Sequence, residues 1–474
     1  MNTAIINGQP HQAHTSFSVT NPATFQVIAE VSDCGPEEAA RAIDAAAEAF
    51  TRWRRTTAYE RAQLLMAWRE RILADQSNLA RIMTSEMGKP IKESEGEIAF
   101  STTFLEYYAG EAKRIPGSLV PSQFANKRLM VTSEPVGIVY AVTPWNFPAS
   151  MVARKVAPAL AAGCCFILKP ADRSPLTALR LAELWHEVGG PQGVFQVLPT
   201  SNAAALSEVM MQDARVRKLT FTGSTPVGRL LAQQSAATLK RVSLELGGHA
   251  PLVVFEDADI DLAVEGTIAS KYRNAGQTCV CANRIYVHAD IMSEFSRRFT
   301  QRVEQLVVGD PMERTTDIGP LVAAEAVEKA ERHVEDALSL GATLTTGGNR
   351  PNRTGHYFTP TVLQGVPASA LITREETFGP VAPLIPFERE ADIITLANTS
   401  DYGLAAYFWT HNLDRVFRIS EALEYGLIGV NDPLPSTAQG PFGGVKQSGY
   451  GREGGSWGLD EYMSTKFVSI GIKL

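Results

Sequence analysis

Gly137-Ile-Val-Tyr-Ala-Val142 is a short, apolar, β-branched run, followed after a stretch of helical length by Cys164-Cys-Phe-Ile-Leu168. The rhythm continues through 194–198, 218–221 and 241–246, with room for a helix between successive runs. Such alternation predicts βαβ units, hence a parallel sheet with helices on both faces. Ligands of such sheets bind at the carboxyl ends of the strands. A second α/β rhythm runs from Pro251 to about Val445, with strand-like runs at 251–255, 284–288 and 404–409. The join at Gly247-Gly248 is the expected domain boundary.

Outward from this centre the patterns change. Pro36 opens a helix whose Ala39, Ile43, Ala46 and Phe50 share one stripe, and further helical stretches reach about residue 113. Residues 118–134, with a polar turn at Asn126 and Lys127, read as a β-hairpin, and the tail from Tyr462 to Ile470 reads as a strand. There is no internal repeat and no low-complexity linker.

A length of 474 residues allows about three domains. The chain is 45% hydrophobic and 20% charged, as a globular protein is. Its net charge of −7, from 44 basic and 51 acidic residues, argues against nucleic-acid or anionic-membrane partners. No apolar run approaches the ~20 residues of a membrane span. The start, Met1-Asn-Thr-Ala-Ile-Ile-Asn-Gly8, lacks the pattern of a signal peptide. Five cysteines, without zinc-type Cys/His spacing, fit a reducing cytosol. Cys164 and Cys165 lie in an apolar run and read as core.

Three segments carry chemistry. Cys279, in Gly276-Gln-Thr-Cys279, has a polar, conformationally loose approach that leaves sulfur open to an electrophile. Glu245, in Arg241-Val-Ser-Leu-Glu-Leu-Gly-Gly-His249, is a carboxylate within an apolar strand, where burial raises the pKa and suits a general base. Thr143-Pro-Trp-Asn-Phe-Pro148 holds one amide, Asn146, between two prolines, as an oxyanion hole requires. Cysteine, base and amide make a set for attack on a carbonyl carbon.

These segments, with Phe221-Thr-Gly-Ser-Thr225, Glu375-Glu-Thr-Phe-Gly-Pro380 and Pro441-Phe-Gly-Gly-Val-Lys446, resemble the signature blocks of the aldehyde dehydrogenase superfamily, in that family's order across nearly the whole chain. Gln277-Thr-Cys-Val-Cys-Ala-Asn283 and Pro441–Gly449 look most like succinate-semialdehyde dehydrogenases within it. The resemblance implies a Rossmann-type cofactor domain (1–117 and 136–247), an α/β catalytic domain (248–447) and a small β oligomerisation domain (118–135 and 458–474). It also implies a cytoplasmic homo-oligomer, dimer or tetramer.

The implied reaction is oxidation of an aldehyde to a carboxylate with NAD or NADP and no metal. Cys279 attacks the aldehyde, Asn146 and the Cys279 N–H hold the oxyanion, hydride passes to the nicotinamide, and Glu245 activates water against the thioester. Lys155 and Glu453 match supporting positions. For the cofactor the matching residues are Val142, Thr143, Trp145, Lys169, Glu376 and Phe378, and Asp172 stands where many NAD-preferring relatives have glutamate. Gly223-Ser-Thr-Pro-Val-Gly228 follows a strand and opens a helix, so Gly223, Ser224 and Gly228 can meet a pyrophosphate. Asp172 should accept ribose hydroxyls and repel a 2′-phosphate, which favours NAD, although Arg173 lies alongside. The loop Leu198-Pro-Thr-Ser-Asn-Ala-Ala204 departs from the family by lacking glycine.

Arg154, Arg273 and Ser436 match the family's grip on a distal carboxylate, and a guanidinium fork is the natural partner of that group. The expected substrate is succinate semialdehyde or a close ω-carboxy aldehyde; glutarate semialdehyde, or broad aldehyde specificity, is the alternative. Cys281 matches the partner of a Cys279–Cys281 redox pair known in some relatives. A CoA-acylating relative would lack Glu245, a non-catalytic homologue would have lost part of the Cys279, Glu245 and Asn146 set, and a cysteine hydrolase would need a histidine base.

Overall fold

The computed structural model describes residues 2–473. Two short strands, β1 (Ala4–Ile6) and β2 (Gln9–His11), and a hairpin of β3 (Ser16–Thr20) and β4 (Val27–Ser32) come first. Four helices follow: α1 (Pro36–Trp53), α2 (Ala58–Ala74), α3 (Gln76–Met87) and α4 (Ile91–Ala112). Pro36 sits in the first turn of α1, where an N–H would go unpaired anyway, and Ala39, Ile43 and Ala46 are fully buried. The four N-terminal strands lie ahead of the helical region that opens at Pro36, in a stretch whose sequence gives no element away. Three-residue strands such as β1 are too short to show a period, and only their partners reveal them.

The next pair, β5 (Ser118–Val120) and β6 (Lys127–Pro135), is the antiparallel hairpin expected around Asn126. The alternation then runs β7 (Ile138–Val142), α5 (Ser150–Ala162), β8 (Cys165–Lys169), α6 (Pro175–Glu187) and β9 (Phe195–Val197). It continues with α7 (Ala203–Gln212), β10 (Val216–Thr222), α8 (Thr225–Ser235) and β11 (Arg241–Glu245). These strands fall where the apolar runs do. Every residue of β8 is buried, which is why its run shows no polar alternation. Cys164 and Cys165 lie in that core.

A second unit comprises β12 (Ala250–Val254), α9 (Ile260–Tyr272), β13 (Ala282–His288), α10 (Met292–Val303), α11 (Ala324–Ser339), β14 (Thr343–Thr346) and β15 (Thr361–Gln364). It goes on through β16 (Val381–Phe387), α12 (Glu390–Asn398), β17 (Tyr402–Gly403), β18 (Ala405–Trp409), α13 (Leu413–Ala422) and β19 (Leu427–Val430). The chain ends in β20 (Val445–Lys446), β21 (Gly449–Tyr450), α14 (Gly455–Asp460) and β22 (Met463–Gly471).

Two large sheets result. The first has the order β2-β1-β9-β8-β7-β10-β11-β21, parallel from β9 to β11 with antiparallel edges. The second has the order β14-β15-β16-β13-β12-β18-β19 and is parallel except at β14. The tail strand β22 pairs along the whole of β6, so hairpin and tail form a separate three-stranded sheet. Only four residues separate β11 of the first sheet from β12 of the second. After the second sheet the chain returns, and β21 pairs Gly449 opposite Glu245.

The sheets present opposite ends to the site between them. Val142, Lys169 and Thr222 end strands of the first sheet, as the carboxyl-end rule expects. Gly248, Cys279 and Phe378 instead lie just ahead of β12, β13 and β16.

Candidate active site

Cys279 follows α9 through a turn in which Asn274, Ala275 and Gly276 are all left-handed, with φ of 52°, 54° and 77°. Two consecutive non-glycine residues in this region cost about 1–2 kcal/mol each and persist only where neighbours hold them. Gly276 has no alternative, because a Cβ there would lie 2.3 Å from the Gly379 carbonyl oxygen. The turn before Cys279 is thereby pressed against the loop bearing Glu376 and Phe378.

Cys279 is half-buried and lines a cavity of about 340 Å³. Arg154, Arg273 and Ser436 line the same cavity, between the apolar walls of Phe147, Met151 and Phe442. Burial pushes the Cys279 thiol up to about 12; Glu376 and Glu245 push it the same way, while the two arginines oppose them. Arg154 is 2% exposed and lies 4.1 Å from the Phe442 ring centroid and 5.2 Å from that of Phe104. Arg273 lies 5.4 Å from the Phe147 ring centroid.

Glu245 and Asn146 lie outside the lining of this cavity, both deeply buried. Glu245 ends β11, and neither of its carboxylate oxygens has a hydrogen-bond partner. Burial first, then the charge of Glu453, lifts its carboxyl well above the usual range. A Cβ on Gly443 would come within 2.8 Å of Glu245 Oε1, so the glycine leaves room for the carboxylate. Behind it, Lys155 is ion-paired with Glu453 and donates to Thr220 Oγ1 at 3.1 Å. Asn146 donates from Nδ2 to the Gln277 carbonyl at 3.0 Å, which ties its amide to the segment two residues before Cys279.

The matched cofactor residues occupy the first sheet's carboxyl side and the loop before β16. Thr143 and Lys169 are buried at the ends of β7 and β8, and burial lowers the Lys169 pKa. Trp145 meets Phe378 edge-on at 5.6 Å. Glu376 accepts the Gly248 N–H at 3.1 Å, and burial raises its carboxyl to about 7. Ser224 stands at the start of α8 with no capping hydrogen bond from its side chain, and Cβ atoms on Gly223 and Gly228 would strike the Phe221 ring at 2.5 Å and Leu246 Cδ2 at 2.3 Å. This close backbone cradle at a helix start fits a pyrophosphate. Asp172 and Arg173 are exposed. The glycine-free loop at 198–204 is held by Asp33, which accepts Ser201 N–H at 2.8 Å.

Cys281 is fully buried, does not line the cavity, and lies 3.5 Å from Lys271 Nζ; all five cysteines are free thiols. His249 is buried with both ring nitrogens unpartnered, and burial then Arg284 lowers its pKa to about 3, so it stays neutral.

Lys89, Glu93, Glu97, Tyr407 and Phe442 join the site without a sequence signal that gives them a role there. All five line the cavity. The nearest to a signal is Glu93 and Glu97, four apart on the face of a helix, with Lys89 just ahead of it.

Two mainly parallel sheets with a cysteine-bearing cavity define the architecture of an α/β protein. The aldehyde dehydrogenase family model matches residues 9–468, and the chain belongs to the aldehyde dehydrogenase family. It is 49% identical to the NADP(+) succinate-semialdehyde dehydrogenase of Escherichia coli over 471 residues, 99% of this chain and 98% of that protein. It is 48% identical over 471 residues to the glutarate-semialdehyde dehydrogenase of Pseudomonas putida, again 99% of this chain and 98% of the relative. A solved succinate-semialdehyde dehydrogenase from Burkholderia pseudomallei superposes with a TM-score of 0.98 at 47% identity, covering 100% of this chain and 98% of that one.

Proposed function

We propose that the protein oxidises succinate semialdehyde, or a close ω-carboxy aldehyde, to the dicarboxylate with NAD(P)+. The observation that carries this reading is the sharing of one cavity by Cys279 with Arg154, Arg273 and Ser436. Two guanidinium groups in one cavity suit a carboxylate, and the apolar walls accept the methylenes. The aldehyde carbon then meets sulfur in an oriented pose.

The chemistry follows from the chain's own groups. The Cys279 thiol gives its proton up to solvent, and the thiolate attacks the aldehyde carbon. A C–S bond forms, and negative charge on the former carbonyl oxygen is met by Asn146 Nδ2–H and the Cys279 N–H. The nicotinamide, when bound, supplies the hydride acceptor. Glu245 then takes a proton from water, water adds to the thioester, the C–S bond breaks, and the acid leaves. Lys155 balances the charge of Glu453 behind this base.

Thr143, Trp145, Lys169, Gly223, Ser224, Gly228, Glu376 and Phe378 would hold the dinucleotide, with Asp172 at the adenosine ribose favouring NAD. The separate sheet of β5, β6 and β22, with Leu119 83% and Phe467 60% exposed, supports an oligomer joined there. Among the described residues no helix is long and apolar enough to cross a membrane. Free cysteines throughout suit a cytosolic setting.

The decisive assay is a panel of semialdehydes of increasing length, with butanal as the uncharged control, each with NAD and with NADP. Succinate semialdehyde should give the highest kcat/KM. Butanal oxidised as efficiently would remove the basis for the anion grip, and a preference for glutarate semialdehyde would move the assignment one methylene along.

A further inference from the structure

The two loops that the proposed reaction depends on, 143–148 and 274–279, are joined by one buried side chain. Asn274 is 1% exposed, and its Nδ2 donates to the carbonyl oxygens of both Asn146 and Gln277, each at 3.1 Å. Gln277 returns a hydrogen bond from Nε2 to the Asn274 carbonyl at 3.1 Å. The Gln277 carbonyl that Asn274 holds is the one accepting Asn146 Nδ2 at 3.0 Å. The side-chain amide of Asn146 is therefore aimed by an acceptor whose own place Asn274 sets.

Helix α4 anchors this arrangement from outside. The Asn274 N–H donates to Glu93 Oε2 at 2.8 Å, which holds a residue in the left-handed region from the α4 side. Four residues on, Glu97 Oε1 accepts the N–H groups of Ala149 and Ser150 at 3.0 and 3.1 Å. Lys89 pairs with Glu97 and donates to the Asn146 carbonyl at 2.8 Å, beside the bond from Asn274. One helix face thus grips both loops, and Asn274 stitches them to each other.

We propose that Asn274, anchored by Glu93, is the positioning residue that keeps the Asn146 amide aimed at the oxyanion formed when Cys279 adds to a carbonyl. Asn274 does not line the cavity and acts only through Asn146 and Gln277. The inference rests on the reading of Cys279 as nucleophile and Asn146 as oxyanion donor. An N–H donor to an oxyanion is typically worth about a hundred- to a thousandfold in rate, and misaiming it forfeits part of that.

The test separates reactions of the same sulfur that do and do not build an oxyanion. Aldehyde oxidation and hydrolysis of p-nitrophenyl acetate both build one; alkylation of Cys279 by iodoacetamide, a displacement at saturated carbon, does not. Asn274→Asp keeps the size and removes both donors. It should lower kcat for oxidation and ester hydrolysis by about ten- to a hundredfold, with alkylation within about threefold of wild type. Should that variant not fold, Glu93→Ala, from its half-buried position, should show the same split more weakly. Glu93→Gln, whose amide oxygen still accepts the Asn274 N–H, should recover most of the loss. Oxidation within about threefold of wild type in Asn274→Asp overturns the proposal, as does alkylation falling in step with oxidation. If Cys279→Ala still turns over aldehyde or ester, the underlying assignment of the nucleophile fails instead.

Discussion

Arg154 donates from Nη2 to Ser436 Oγ at 3.0 Å, joining two positions 282 residues apart. Its Nε and Nη1 are buried without a hydrogen-bond partner, although Glu453 Oε2 lies 3.6 Å from Nε. Buried N–H groups left unpaired are costly unless a ligand completes them. Arg273, whose Nε is also unpartnered, stands on the same cavity. Cationic donors are therefore in place before any substrate arrives, which is the condition for binding an anion without rearrangement.

Arg273→Ala should lower kcat/KM for succinate semialdehyde by about ten- to a hundredfold, the usual cost of about 1.5–3 kcal/mol for a charged hydrogen bond. The same substitution should change butanal oxidation far less. Steady-state kinetics on both aldehydes checks this, and equal losses would mean that Arg273 supports the fold rather than the carboxylate.

Glu245→Gln should separate the two halves of the reaction. The amide cannot take a proton from water, so acylation should proceed and hydrolysis stall. Stopped-flow absorbance should show a burst of up to one reduced nicotinamide per site and then a slow phase. Mass spectrometry should find the acyl group on Cys279. Linear turnover at the wild-type rate would exclude Glu245 as the base.

With the Cys279 thiol pushed up to about 12, first by burial, the cofactor-free protein carries a neutral thiol at neutral pH. Deprotonation becomes steadily more favourable as pH rises. Iodoacetamide alkylation should therefore accelerate roughly tenfold per pH unit between 7 and 9. A plateau reached below pH 8 would show a thiolate already stabilised in the empty site.

The parts of this arrangement readable in the chain are those whose signal is local. The apolar runs at 137–142 and 164–168 show strands because burial on both faces leaves no polar alternation. Glu245 stands out because a carboxylate in such a run is rare. By contrast, β16 contains Pro383 and Pro386, which argue against a strand, yet it lies inside the second sheet. Ser436 depends on a partner in α5, and Glu93 on one beyond α9; neither pairing leaves a trace in nearby residues. The presentation of amino ends by the second sheet is likewise a product of how the two sheets face each other.

Cofactor choice should turn on Asp172. Its carboxylate stands exposed after β8, suited to ribose hydroxyls and repulsive to a 2′-phosphate. Arg173 beside it has a loose partner in Glu325 at 3.8 Å, leaving its charge able to meet such a phosphate. Asp172→Ser should raise the ratio of kcat/KM for NADP to that for NAD, and Asp172→Ser with Arg173→Ala should give part of that gain back. Paired assays with the two cofactors settle the point; an unchanged ratio in Asp172→Ser would place the discrimination elsewhere.

Cys281 provides the last test, because its sulfur is packed away from the cavity that Cys279 lines. It is fully buried and lies 3.5 Å from Lys271 Nζ, while its N–H donates to the Thr278 carbonyl at 3.0 Å. Bonding to Cys279 would require the 278–281 turn to rotate and give up these contacts. A ring closed across a single intervening residue is itself strained. Peroxide should therefore act first on Cys279, and Cys281→Ala should be inactivated at the wild-type rate and recover equally with dithiothreitol. Activity after timed peroxide exposure, with and without reductant, measures both. Recovery in the wild type that is lost in Cys281→Ala would instead show that the turn does rotate and that the pair works as a redox switch.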